Sequence, residues 1–294
     1  MLEQRTFGRI SFLIINYAAL AIFSLTCVFP IIHMLAMSFS SNSAVTAGWV
    51  SMWPVGFTLD SYKYILENPA FGQSFLVAVE RVILGVSINM ILTILAAYPL
   101  SKTNRRFPMR TVYAWFFAFT MIFNGGLIPS FMVVKATGLM DSIWALIIPS
   151  AVNVFNIILM LNFFRTLPNE LEESAMMDGA GNWRTLWSIY LPISKPSIAT
   201  ILLFCIITHW NSWFDGLIYM NSPSHYPLQT YLRTVIVSKS LTNINSADLA
   251  LLNNISNRTV IAAQLFVSIL PILCIYPFLQ KYFVKGLTLG SVKG

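Results

Sequence analysis

Charge is what this sequence has least of. Asp, Glu, Lys and Arg make up 10% of its 294 residues while 56% are hydrophobic, against about 25% charged in an ordinary soluble domain. So little charge excludes a conventional soluble domain and leaves an integral membrane protein. Cysteine and histidine are equally sparse, with three of each. Cys27, Cys205 and Cys274 lie inside apolar runs without CxxC spacing, which argues against a disulfide framework. His33, His209 and His225 are scattered, so no metal site is expected. There is no GxxxxGK[ST] phosphate loop, since the tail "GLTLGSVKG" has its glycines and lysine at the wrong spacing, and no HExxH or GxSxG. The chain alone is not expected to hydrolyse ATP or to bind a cofactor. Alternating ten-residue segments are also missing, which excludes an outer-membrane barrel.

What is present is a series of long apolar runs. Six candidates are read at about 12 to 37, 75 to 99, 111 to 134, 142 to 164, 197 to 219 and 259 to 283. Each is long enough for a helix to cross about 30 Å of hydrocarbon, and lipid leaves helix as the way to satisfy the backbone. The expected fold is therefore an all-α membrane protein with six transmembrane helices. The first run exceeds a signal-peptide core and lacks a convincing cleavage site after it, so it reads as an uncleaved span.

The net charge of +7 does not point to nucleic acid, because the cations cluster beside the ends of apolar runs. With the N-terminus inside, twelve of the 18 lysines and arginines fall on the inner side. Five (Lys63, Lys135, Arg233, Lys239 and Arg258) fall outside, and Arg81 lies in or near a span. The positive-inside rule then predicts both termini in the cytoplasm. The segments 38 to 74 and 220 to 258 become the main outer ones, large enough to contact an external partner. The basic link "SKTNRRFPMR" and the segment 165 to 196 lie inside.

That inner segment interrupts the greasy pattern with "ESAMMDGAGNWRTLWSIYLPISKP". Pro168 suits a first helical turn, and Glu170, Glu172 and Glu173 follow where acids favour the positive end of the helix dipole. The helix is expected to run to about Asp178. Gly179 and Gly181 then permit a sharp turn, with Asn182 as N-cap of a second helix. Trp183, Leu186, Trp187 and Tyr190 recur at i, i+3, i+4 and i+7 and predict one broad aromatic face that must dock on something. Its own bundle, the lipid surface and a partner subunit are the candidates. A DNA-reading helix-turn-helix is disfavoured, because membrane spans tether both sides and few cations are available.

The order Glu173, Ser174, Ala175, Gly179, Ile189, Leu191 and Pro192 resembles the EAA signature of membrane subunits in bacterial ABC importers, with Ser174 replacing the usual first alanine. Further stretches extend the resemblance over nearly the whole chain: "FNGGLIPSFMVV", "HWNSWFDGLIYMNS", "YPLQTYLR" and "FVKGLTLGSVKG". Together they are similar to carbohydrate-importer permeases of the MalG type, and more narrowly to the LplC-like branch. The resemblance implies a type I ABC importer (MetI-like) fold in the bacterial inner membrane, with residues 72 to 283 as a five-helix permease core. It implies that 165 to 196 is a coupling hairpin seated in a cytoplasmic ATPase. Glu173, Ser174, Ala175, Asp178, Gly179 and Ala180 would form the docking turn, followed by Leu191 and Pro192. It also implies a second permease subunit, two ATPase subunits that hold ATP and Mg, an extracytoplasmic solute-binding protein and a carbohydrate substrate.

Polar residues within spans are the remaining signals. Asn124, Gly125, Gly126 and Pro129 predict a break in the third span, and Pro149, Asn153 and Asn156 one in the fourth. These asparagines either line a path or bond between helices. Trp210, Asn211, Trp213 and Asp215 either line a carbohydrate path or belong to an interfacial belt. Glu80 and Arg81, adjacent and so pointing apart on a helix, either pair with other helices or reach the outer interface. An ion- or proton-coupled secondary carrier is the competing function, disfavoured by few intramembrane acids and no obvious inverted repeat. A membrane-anchored scaffold would need a soluble output domain.

Overall fold

A computed structural model describes residues 7–241 and 257–291. The expectations for 242–256, within the predicted outer segment, and for the terminal Arg5 and Lys293 lie outside the described residues. Among those described, every regular element is helical: α1 (Phe7–Ser38), α2 (Asn42–Thr46), α3 (Asp60–Glu67), α4 (Pro69–Ser101), α5 (Arg110–Ile122), α6 (Leu127–Ala136), α7 (Ile143–Ile147), α8 (Val154–Thr166), α9 (Asn169–Met177), α10 (Asn182–Thr185), α11 (Leu191–Ile193), α12 (Lys195–Asn211), α13 (Phe214–Tyr219), α14 (Leu228–Leu241) and α15 (Asn257–Ser291).

Among the described residues three helices are long and apolar enough to cross a membrane, namely α1, α4 and α15, and the count rises to six if each of three bent pairs is one span. The bends fall where the backbone chemistry weakens. Between α5 and α6 the chain turns by 114° at Gly126, whose φ of +89° suits a residue without Cβ; the Asn124 side chain accepts the Gly126 N–H at 2.8 Å. After α7, a 3₁₀ turn over Ile148–Ser150 precedes a 49° bend into α8, where Asn153 caps the helix by accepting the Asn156 N–H at 3.2 Å. The run expected as a continuous fifth span over 197 to 219 is also interrupted: α12 ends at Asn211 and α13 starts at Phe214. The second helix of the hairpin instead runs up to α12 with an 82° bend.

The described residues divide into two compact units, one of residues 7–69, 236–241 and 257–270, the other of 70–235 and 271–291. In the first, Phe39 stacks on Phe57 and Tyr62 with centroids 5.5 and 4.8 Å away, and the Ser38 and Tyr62 hydroxyls are hydrogen-bonded at 2.7 Å. None of the most apolar window of α1 is buried within the chain, so its all-round apolar surface is left for lipid or protein outside it.

The second unit is organised by α4. Its buried face reads Ser74, Ala78, Arg81, Gly85, Asn89, Thr93 and Ala97, small and polar side chains that let neighbouring backbones approach and bond. Asn89 Nδ2 donates to the carbonyls of Ser150 and Ala151 at 2.9 and 3.0 Å, two groups set free by the break before α8. Arg81 donates to the Ser212 carbonyl at 3.4 Å and to Asp215 Oδ1 at 3.1 Å, at the break before α13. Irregular backbone at membrane depth persists where protein satisfies it, and α4 supplies those donors. In its C-terminal half Val86, Ala97, Tyr98 and Leu100 pack with Ile157, Met160, Phe164, Leu186, Tyr190, Ile201 and Cys205, so α4, α8, α12 and the hairpin share one core.

Candidate functional site: the hairpin and its anchorage

Helix α9 follows Pro168, with Glu170 and Glu172 in its first turn. It closes on Asp178 with a pair of crossed bonds, Ala180 N to Ala175 O at 2.9 Å and Gly179 N to Met176 O at 3.0 Å. This is a Schellman ending, which needs a left-handed residue after the cap; Gly179 supplies it with φ +76°. A Cβ on Gly179 would meet nothing within 4 Å, so the demand is on backbone conformation and not on space. Ala175 and Ala180, joined by the bond that spans more residues, are the small pair that brings the chain round.

The second helix departs from expectation in two ways. Gly181, not Asn182, occupies the N-cap and no side chain caps it; Asn182 is already the first helical residue, with Thr185 Oγ1 donating to the Gly181 carbonyl at 3.1 Å. The predicted single aromatic face is split as well. Residues Leu186–Tyr190 form a π-helical turn, just before Pro192, which has no N–H to continue the α ladder. Leu186 and Tyr190 are buried, whereas Trp183 and Trp187 are 64% and 63% exposed.

The burial of Tyr190 follows from its partner. Its hydroxyl donates to Glu172 Oε2 at 2.9 Å, and Glu172 Oε1 lies 2.9 Å from Lys102 Nζ and 2.7 Å from Arg106 Nη1. Lys102 Nζ also lies 4.0 Å from the ring centroids of both Tyr98 and Tyr190, a cation held over two aromatic faces. Phe164 completes the packing, with edge contacts to Tyr98 and Tyr190 at 6.3 and 5.4 Å. Burial alone would raise the Glu172 carboxyl, but the hydrogen bond and charge of Lys102, with Tyr190 and Arg106, hold it below its ordinary value. Burial pulls the Lys102 ammonium down, with Glu172 opposing that loss. The two groups oppose each other's loss of charge, and each makes the other's burial tolerable.

The residues expected at the docking turn are together. Glu173, Ser174, Asp178 and Gly179 are exposed, Ala180 and Leu191 are half-buried, Pro192 is exposed and Ala175 is buried. Beside them Met177 stands 88% exposed. A depression lined by Leu171, Ser174, Ala175, Asp178, Arg184 and Ile189 runs along the hairpin. Glu172, Lys102, Arg106 and Tyr190 were not singled out by sequence as a cluster. Lys102 sits among the cations of a basic link and Glu172 among acids suited to a helix start, and only the packing tells them from their neighbours.

The polar residues expected near a path do not form one cluster. Asn124 is exposed at the α5–α6 bend. Asn153 is committed to its capping bond, and Asn156 is buried with Nδ2 3.3 Å from Cys205 Sγ, a contact between α8 and α12. Trp210 is buried, edge-on to Phe75 at 5.7 Å, while Asn211 is exposed. Trp213 lies at the break, its carbonyl accepting from Thr230 Oγ1 at 2.8 Å and its ring 5.2 Å from the Arg233 guanidinium. Asp215 is bound to Arg81, whose side chain is 2% exposed, and Glu80 is exposed on the other side of α4. Arg81 thus belongs to an internal ion pair.

Sequence and structure comparisons agree on what kind of chain carries this hairpin. It is 40% identical over 278 residues to the polygalacturonan/rhamnogalacturonan transport system permease protein YtcP of Bacillus subtilis (strain 168), covering 95% of this chain and 96% of that one. It is 40% identical over 268 residues to protein LplC of the same organism, covering 91% and 90%. Among solved structures, a chain of a bacterial ABC transporter involved in the import of the acidic polysaccharide alginate superposes with a TM-score of 0.87. That chain is 38% identical, with 95% of this chain and 99% of that one covered. The family model described as binding-protein-dependent transport system inner membrane component matches residues 4–289, and the chain belongs to that family.

Proposed function

We propose that this chain is a membrane-spanning permease subunit of an ATP-driven importer, that it moves a carbohydrate into the cytoplasm by alternating access, and that its cargo is an acidic oligosaccharide. The family carries the transport role, and the named substrates of its relatives, polygalacturonan with rhamnogalacturonan and alginate, support the cargo class. In this reading the six apolar segments span the bilayer with both termini inside. The outer segments 38 to 74 and 220 to 258 receive a solute-binding protein.

The observation that carries the mechanism is the turn at Gly179. It presents Glu173, Ser174, Asp178 and Met177 on a short hairpin, while Glu172 ties the hairpin to Lys102 just past the end of α4. Such an element suits docking into the cleft of an ATPase whose open and closed states select inward- and outward-facing arrangements of the helices. ATP and Mg belong to that partner. A second permease subunit completes the pathway.

The test is reconstitution. This chain, co-expressed with a cognate permease subunit and ATPase, is placed in proteoliposomes with the binding protein and an oligogalacturonide. Substrate-stimulated ATP hydrolysis with uptake is the expected result. Uptake by this chain alone in vesicles lacking ATP would overturn the proposal.

A further inference from the structure

Helix α4 is an unbroken run of 33 residues that engages the hairpin at one end and two broken helices further along. Directly past its inner end, Lys102 and, one turn on, Arg106 hold the Glu172 carboxylate at 2.9 and 2.7 Å, and Tyr190 returns from the second arm of the hairpin to the same carboxylate at 2.9 Å. Both arms are therefore bound to one point. Mid-helix, Asn89 holds the Ser150 and Ala151 carbonyls at the α7–α8 break and also contacts His209 Nε2 of α12 at 2.6 Å. Two turns higher, Arg81 holds Ser212 and Asp215 at the α12–α13 break. These are ion pairs and hydrogen bonds, in contrast to apolar contacts that slide.

We propose that Glu172 is a positioning residue that clamps the coupling hairpin to α4, and that α4 carries displacement of the hairpin to the helix breaks that Asn89 and Arg81 hold. This rests on the importer reading above and assigns the route by which an ATPase movement reaches the membrane. Helix α9 could dock equally well on a partner without the clamp, because Ser174 and Asp178 are exposed and line a separate depression along the hairpin. Loss of the clamp should then separate ATP hydrolysis from transport without abolishing hydrolysis. A residue needed only for folding would lower the amount of complex and both activities in parallel.

The experiment compares wild type with Glu172→Gln, Lys102→Met and the double variant in the full reconstituted complex, reading ATP hydrolysed per oligosaccharide imported. Glu172→Gln should raise that ratio by about fivefold or more, within the range typical of coupling between sites, with hydrolysis kept at a comparable level. The double variant should be no worse than Glu172→Gln, because that change already removes the Lys102–Glu172 ion pair. If Glu172→Gln fails to assemble, Tyr190→Phe is read in its place; it deletes one hydrogen bond and keeps the ring, and a rise on the order of twofold is expected. An unchanged ratio, or uptake and hydrolysis falling together, overturns the clamp while leaving the importer reading intact. Absence of substrate-stimulated hydrolysis in wild type overturns both.

Discussion

The imidazole of His209 lies over Gly85 so closely that a Cβ there would stand 2.5 Å from the ring's Cε1. Glycine at this point of α4 is a packing requirement, since the same ring must also reach Asn89 Oδ1 at 2.6 Å. Gly85→Ala should push the ring aside, break that bond and destabilise the protein by about 1–3 kcal/mol. Gly72→Ala, where nothing lies within 4 Å, is the control. Thermal unfolding of the purified protein separates the two, and equal midpoints would sink the idea.

At the hairpin the constraint is conformational. Gly179→Val forces a β-branched residue to φ +76°, a region that costs L-residues about 1–2 kcal/mol, and should abolish uptake while leaving the protein in the membrane. Gly179→Asn should retain more activity, because asparagine tolerates the left-handed region. Gly181→Ala, with φ −76° and open space around it, should transport normally. Uptake measured beside membrane abundance tests all three.

Arg81 and Asp215 should behave as a unit. Arg81→Met leaves a carboxylate without its partner near the α12–α13 break, and breaking buried pairs of this kind costs about 3–5 kcal/mol. Arg81→Met combined with Asp215→Asn should recover much of that loss. A double-mutant cycle on unfolding midpoints reads the coupling, and strict additivity would argue that the pair is incidental.

Asp141 sits at φ +58° and ties the α6–α7 link to the α13–α14 link. Its carboxylate accepts the N–H groups of Asn221 and Ser222 at 2.9 and 3.1 Å and the Ser222 hydroxyl at 3.0 Å, and pairs with His225 Nδ1 at 3.0 Å. The Ser222 N–H above all, then His225, hold the carboxyl well below its ordinary value of 3.8. A depressed acid contributes its stabilisation in full above the ordinary value and loses it as pH falls below. Amide protection at Asn221 and Ser222 should thus be flat from pH 7 to about 5 and decline only in stronger acid. Asp141→Ala should remove it at every pH, and hydrogen exchange reads both.

The sequence carried its clearest signals where a single residue type dictates backbone conformation. Gly179 ends α9 as expected, Asn124 with Gly126 breaks the third apolar run, and Pro149 with Asn153 bends the fourth. The break at Ser212 and Trp213 was not foreseen, because neither residue forbids a helix; the conformation there is held by Arg81, Asp215 and Thr230, which lie far away in sequence or on another element. Tyr190 left the face of Trp183 and Trp187 for a similar reason. A hydroxyl that finds a buried carboxylate outweighs periodicity, and the π turn absorbs the change of register. Glu172 looked like an ordinary dipole-favouring acid until Lys102 and Arg106 were placed beside it.

Gly85 stands sixteen residues from either end of α4, a helix about 50 Å long by its rise per residue, against a hydrocarbon slab of about 30 Å. A beam of that length resting on a ring at its midpoint has its fulcrum built in. Leaning by ~10° about Gly85 would carry its two tips by roughly 4 Å in opposite senses, so one end dips as the other lifts and neither half of the see-saw has to bend.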